Sequence, residues 1–272
     1  MSLSCSPSDA CSHRPARIGI LAAMPEELQA LLDRRPDEAA VEVAGRCFWV
    51  GHLHGQDVVA VLSRIGKVAA ATTTTLLLTR FGVDEVLFTG VAGGLGPGVK
   101  VGDVVVADAL VQHDMDASPL FPRYELPGLG VSVLCPPDAM TARVKAAVDA
   151  VLASASLAAG GALADVHLEE LGLQQPQVHQ GRVLSGDQFI HARETCHALL
   201  AGQPGALAVE MEGAAVAQVC HDFGVPYAIV RTISDRADEA AHVDFPRFIA
   251  SVASRYSLAV VERYVQDRVA GH

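Results

Sequence analysis

Short apolar runs alternate along the chain with longer stretches in which apolar residues recur at helical spacing. The short runs are Arg17–Ala22, Arg46–Leu53, Asp57–Ser63, Glu85–Gly90, Asp103–Ala109, Val178–Ser185, Ala206–Val209 and Tyr227–Ile233, and they read as strands. The longer ones, read as helices, are Pro25–Asp33, Lys67–Arg80, Met140–Ser156, Ala192–Leu200, Met211–Phe223 and Phe245–Gln266. Pro25 suits a first helical turn, where a missing N–H costs nothing, and Glu26 and Glu27 follow where the helix dipole favours acids. Strand and helix in alternation predict an α/β layer fold. No composition shift or long linker divides residues 17–272, so one domain is expected, with Leu157–Gln177 as its most loop-like internal stretch.

Composition narrows the class. Half of the 272 residues are apolar and only 19% are charged, which excludes intrinsic disorder of the whole chain. The mean hydropathy of +0.30 raises the possibility of a membrane protein. Acids such as Glu85, Glu210 and Glu212 interrupt every candidate span, so a soluble protein without a membrane partner is expected. The net charge of −11 and the lack of any Lys/Arg cluster argue against a nucleic-acid partner. Residues 1–16 lack a secretory apolar stretch, are Ser-rich and contain Pro7 and Pro15; they read as a disordered tail. Six cysteines without a C-x-x-C pair suggest free thiols and a cytoplasmic location.

Three segments place polar groups just after an apolar strand, where open α/β sheets bind ligands. Ala22-Ala-Met-Pro-Glu-Glu27 ends the first strand and opens a helix; its acids could equally be plain dipole complements. Thr89–Asp103 holds six glycines, which permit close backbone approach to a ligand, yet it is neither a dinucleotide fingerprint nor a P-loop. The third segment joins Val209-Glu-Met-Glu-Gly213 to the strand that delivers Ser234 and Asp235 at its carboxyl end. Buried carboxylates are costly unless used or paired, and one of Glu210 and Glu212 is expected to face inward. His52-x-His54 and His113-Asp114-x-Asp116 lack the context of a zinc site, so no metal is expected. The G-x-S-x-G of a serine hydrolase is absent.

In order along the chain, RIGILAAMPEEL, SRIGKVAAA, TGVAGGL with VGDVVVAD, SGDQFI, VEMEGAAVAQVC and VPYAIVRTISDRAD resemble the nucleoside phosphorylase/nucleosidase superfamily. Within it the resemblance is closest to the 5′-methylthioadenosine/S-adenosylhomocysteine nucleosidases. It implies a three-layer α/β/α fold with a central twisted mixed sheet, a homodimer, no cofactor, and hydrolysis of the N-glycosidic bond of an adenine thio-nucleoside in methionine salvage. By motif, Asp235 is the general acid at adenine N7, held by Ser234, and Glu27 positions and deprotonates the attacking water. Glu212 binds the ribose hydroxyls, Met211 packs on the sugar, and Arg231 sits near ribose and water. Phe189 stacks on the purine, the Ile190 backbone meets its edge, and Ile65, Val91 and Phe245 complete the substrate-binding set.

The chemistry suits these residue types. Bond cleavage leaves a cationic sugar and an anionic purine, so one carboxyl must donate a proton while another stays ionised, as in glycoside hydrolysis. A carboxyl at 235 can pair with both N7 and the 6-amino group. The family motif T-G-S-A-G-G has Val91 here in place of its serine, which removes a hydroxyl from the nucleophile's side. The loop Gln112–Gly128 aligns loosely with the family's 5′ loop and offers Leu120 and Phe121, which could equally be core. A purine nucleoside phosphorylase and a non-catalytic binding relative remain the alternatives. A phosphorylase needs cations or N–H groups around phosphate, where Glu27 would repel it; a binding relative would be expected to have lost an acid.

Overall fold

The computed structural model describes residues 16–34, 39–157, 176–237 and 248–271. Most of the expected tail, most of the Leu157–Gln177 stretch and Phe245 lie outside the described residues. Strands are β1 (Ile18–Ala22), β2 (Ala39–Val43), β3 (Arg46–Leu53), β4 (Gln56–Leu62), β5 (Glu85–Gly94), β6 (Val104–Gln112), β7 (Val178–Ser185), β8 (Ala206–Glu210) and β9 (Tyr227–Asp235). Helices are α1 (Pro25–Asp33), α2 (Lys67–Phe81), α3 (Asp138–Leu157), α4 (Arg193–Gly202), α5 (Gly213–Phe223) and α6 (Ser254–Ala270), the last preceded by a π-helical turn at Ile249–Ala253. Among the described residues no helix is long and apolar enough to cross a membrane.

The sheet is mixed and runs β2-β3-β4-β1-β5-β8-β7-β6-β9, with β9 also paired to β5. That last pairing closes β5, β8, β7, β6 and β9 into a ring, while β1 to β4 continue outward as an open wing. Strand alternation divides the core between two faces. Ile18 and Ile20 of β1, with Val58 and Ala60 of β4, pack toward α1, α3 and α6. Leu21, Val59 and Val61 pack on the other face, toward α2 and α5. Gly19 lies where α2 comes closest: a Cβ there would stand 2.6 Å from Leu77 Cδ2. Helix, sheet and helix form the expected three layers.

β3 and β7 have the expected limits, and so does α1. β2 was not expected: its residues are almost all exposed, so no apolar run marks it. It is paired through a tight hairpin whose central residues, Ala44 and Gly45, both have positive φ (50° and 68°). β5 continues through Gly94 where a glycine loop was expected to begin, because Ala92, Gly93 and Gly94 keep partners on β9 and β8.

Candidate active site

β9 is buried along its whole length and lies parallel to β5. Their register slips at the carboxyl end: Ala92 pairs with Ile233, but Gly93 pairs with Asp235, leaving Ser234 as an extra residue. Such a bulge re-aims the side chains around it. Ser234 Oγ donates to Asp235 Oδ2 (2.8 Å), and the Ala237 N–H donates to Oδ1 (2.7 Å). Ala237 itself has a φ of 51°, and its carbonyl accepts from the Cys196 thiol of α4 (2.6 Å). A Cβ at Gly93 would lie 3.1 Å from Asp235 Oδ1 and 2.8 Å from the Ala237 Cβ, so glycine makes the room this carboxyl occupies.

Glu27 arrives from the first turn of α1. Glu26 is exposed and serves the dipole, whereas Glu27 is buried. Its Oε2 accepts the N–H groups of Ala23 (2.8 Å) and Met24 (2.9 Å), and Oε1 accepts that of Val91 (3.0 Å). Burial pushes its pKa up, against the pull of the Met24 N–H, the Arg231 charge and the Val91 and Ala23 N–H groups. A Cβ at Gly90 would sit 2.8 Å from Glu27 Oε1. Gly90 and Gly93 therefore each make room for a carboxylate, and residue 91 serves Glu27 through its backbone N–H.

Glu210 and Glu212 are both buried and do different work. Glu210 Oε2 takes the Arg231 Nη2 at 2.8 Å, and both carboxylate oxygens accept the Gly213 N–H (2.9 and 2.8 Å) at the start of α5. Ser185 Oγ also donates to Glu210 and itself accepts from the Ala214 N–H (2.7 Å). Arg231 lies 4.0 Å above the Phe88 ring and donates to the Phe88 and Val230 carbonyls (3.3 and 3.1 Å). Glu212 caps nothing with its side chain; its Oε1 accepts the Gly66 N–H from the start of α2 at 2.8 Å. Burial, and then the Glu210 charge, raise its pKa to about 8.

These groups converge on a cleft of about 340 Å³ at the carboxyl ends of β1, β5, β8 and β9. Of the residues singled out in the sequence, Glu27, Ile65, Val91, Phe189, Ile190, Met211, Glu212, Ser234 and Asp235 line it. Arg231 does not line it; it lies behind the wall on Glu210, in electrostatic reach of Glu27 and Glu212. Leu120 and Phe121 are exposed and outside the lining. Two contributors were not anticipated: Glu210, which was weighed but given no role, and the backbone N–H of Gly66. The strand-end position of Glu210 signals the first; no side chain could signal the second. The histidine motifs are occupied otherwise, with His52 on Asp57 (3.0 Å) and Asp114 on Lys67 (2.6 Å).

A family model described as the phosphorylase superfamily matches residues 17–266. The chain belongs to the phosphorylase superfamily. Within this superfamily, the 5′-methylthioadenosine/S-adenosylhomocysteine nucleosidase of Neisseria meningitidis, solved with methylthio-immucillin-A, is 30% identical at a TM-score of 0.79, covering 92% of this chain and 99% of its own. The Helicobacter pylori nucleosidase of the same name, with butyl-thio-DADMe-Immucillin-A, is 34% identical at 0.77, covering 93% and 99%. Futalosine hydrolase from the same bacterium is 34% identical at 0.79, covering 94% and 100%. Superfamily members of this nucleosidase kind are N-glycosidases, and the carboxylates described above occupy a cleft suited to that chemistry.

Proposed function

We propose that the protein hydrolyses the N-glycosidic bond of an adenine nucleoside with a 5′-thio substituent, 5′-methylthioadenosine and/or S-adenosylhomocysteine, releasing adenine and the 5′-thioribose. The observation that carries the reading is the seat of Glu27. Three backbone N–H groups of the kind that could cradle a phosphate are already bound to a carboxylate. The nearest buried cation, Arg231, is paired with Glu210. A phosphate there would meet negative charge, whereas water would meet a base.

In this reading the C1′–N9 electron pair leaves with the purine as Asp235 delivers its proton to N7. Ser234 and the Ala237 N–H hold that carboxyl in place. The sugar gains positive charge, which ionised Glu27 favours, and a water adds its oxygen to C1′ while its proton passes to Glu27. Glu212 takes the ribose hydroxyls and Met211 the sugar face; Phe189 and Ile190 hold the base, and Ile65 and Val91 line the rest. Arg231 acts from behind the wall, by setting the charge balance of the three glutamates. All three acids named above are in place, which favours an enzyme over a binding relative.

We assign the activity to a cytoplasmic homodimer that recycles by-products of S-adenosylmethionine. None of the four cysteines among the described residues is in a disulfide, in keeping with that compartment. The exposed apolar side chain at Leu120 (83%) fits a surface covered by a second copy. The equal similarity to futalosine hydrolase favours a second reading, in which the same chemistry acts on a nucleoside with a different 5′ substituent. Incubation with 5′-methylthioadenosine in phosphate-free buffer tests the assignment: free adenine and a reducing sugar are expected. No adenine from any adenine nucleoside would overturn it.

A further inference from the structure

Beside the active-site cleft lies a second depression of about 390 Å³, and Ile65 belongs to the walls of both. Ile65 is about half exposed (55%), so it separates the two without sealing them. Gly66, which donates to Glu212 in the first cleft, lines the second as well. Asp187 lines the second and its neighbour Gln188 the first. The depression therefore adjoins the Glu212 side of the cleft, where the proposed function puts the sugar, and Asp235 is not among its walls.

Its distinctive groups are two guanidiniums, Arg46 and Arg64. Arg46 Nε donates to Thr73 Oγ1 (2.6 Å) and its Nη1 to the Ala44 carbonyl (3.1 Å); Arg64 Nη2 donates to the Gly45 carbonyl. Among the described residues neither forms an ion pair with a carboxylate, an unusual arrangement in a chain with an excess of 11 acids. Burial, and next the Arg64 charge, lower the Arg46 pKa, as for a like-charged pair held together. Arg64 also keeps a φ of 67°, a backbone region in which glycine would be the less strained choice. Across the depression stands one carboxylate, Asp187, which accepts the Lys67 N–H at 2.7 Å.

Two cations facing one anion match an α-amino acid, whose carboxylate needs forked N–H donors and whose ammonium needs an acceptor. We propose that this depression is a subsite for an α-amino-acid group at the end of the substrate's 5′-thio substituent, with Arg46 and Arg64 on the carboxylate and Asp187 on the ammonium. The inference rests on the hydrolase reading and sharpens it: S-adenosylhomocysteine, which carries such a group, is preferred over 5′-methylthioadenosine, which does not.

The test compares kcat/KM for these two nucleosides, and for the decarboxylated analogue of S-adenosylhomocysteine, in wild type and in Arg64→Gly, a replacement suited to the local φ. Loss of charge-assisted hydrogen bonds predicts a fall of about tenfold or more in the homocysteine-to-methylthio ratio. Wild type should show the same loss toward the decarboxylated analogue, a readout that does not depend on the variant folding. Arg64→Lys, which keeps the charge without the fork, should fall between. A ratio unchanged within about twofold in Arg64→Gly, or equal wild-type rates with and without the carboxylate, would overturn the subsite. Failure of the hydrolase reading shows separately, as no adenine from any of the three. Calorimetric Kd values for the same nucleosides then carry the same tenfold comparison.

Discussion

The two ends of the cleft solve the problem of a buried carboxylate in opposite ways. At the β9 end, Asp235 sits on a bulge where the Ser234 hydroxyl and the Ala237 N–H hold it, so backbone irregularity sets its position. At the β8–α5 end, Glu210 and Glu212 stand two residues apart and share one cation. Glu210 takes Arg231 and the N–H groups at the helix N-terminus. Glu212 takes a single N–H, and burial beside Glu210 raises its pKa to about 8. The difference shows that at the β8–α5 end the more strongly paired acid, Glu210, belongs to the scaffold, while Glu212, with the Gly66 N–H, faces the cleft.

That contrast can be broken by substitution. Asp235→Asn removes the proton donor while keeping its shape, and should lower turnover about 10²–10⁴-fold while nucleoside binding, followed by calorimetry, survives. Wild-type-like turnover would take the acid role from Asp235. Glu210→Ala leaves a buried guanidinium without its carboxylate, and chemical denaturation should show a loss of about 3–5 kcal/mol. A smaller loss than in Glu212→Ala would reverse the division between scaffold and site. Gly90→Ala puts a methyl into the space of Glu27, and should cost about 1–3 kcal/mol of stability together with turnover. An unaffected enzyme would mean that the Glu27 seat is not tight.

The smallest effect is a pH slope. Glu212 holds its proton more tightly in the folded chain than in the unfolded one, so its contribution to stability is complete below about 4.5 and lost as pH rises through about 8. Melting temperature across that window should decline less in Glu212→Gln than in wild type. Parallel curves would show that Glu212 is not the group responsible.

Much of this architecture is legible in the sequence where burial and periodicity agree, as in α1, β3 and β7. Glu27 and Glu212 were singled out by the family motif, since the Glu27 segment read equally as a dipole complement and only one of Glu210 and Glu212 was expected to face inward; Asp235 stood out because a carboxylate at an apolar strand end is costly. Three features were not legible. β2 carries no apolar run, since its residues face solvent. The closure of β5 onto both β8 and β9 depends on pairings across more than a hundred residues. The strand character of Val91–Gly94 was hidden by its glycines, of which Gly93 makes room for the Asp235 carboxyl and Gly94 for the Ile233 and Val99 side chains. Arg231 was placed beside the ribose by motif, but local sequence could not show that Glu210 draws it behind the wall.

The central claim is that Glu27 fills the anion seat and makes water the nucleophile. The most direct test is the initial rate of adenine release from 5′-methylthioadenosine as inorganic phosphate is raised from none to well above physiological concentration, with the free sugar identified by proton NMR and any sugar 1-phosphate by phosphorus NMR. A rate independent of phosphate, with free 5-methylthioribose as the sugar, is the predicted result. A rate that starts at zero and climbs with phosphate, yielding the 1-phosphate, would contradict it.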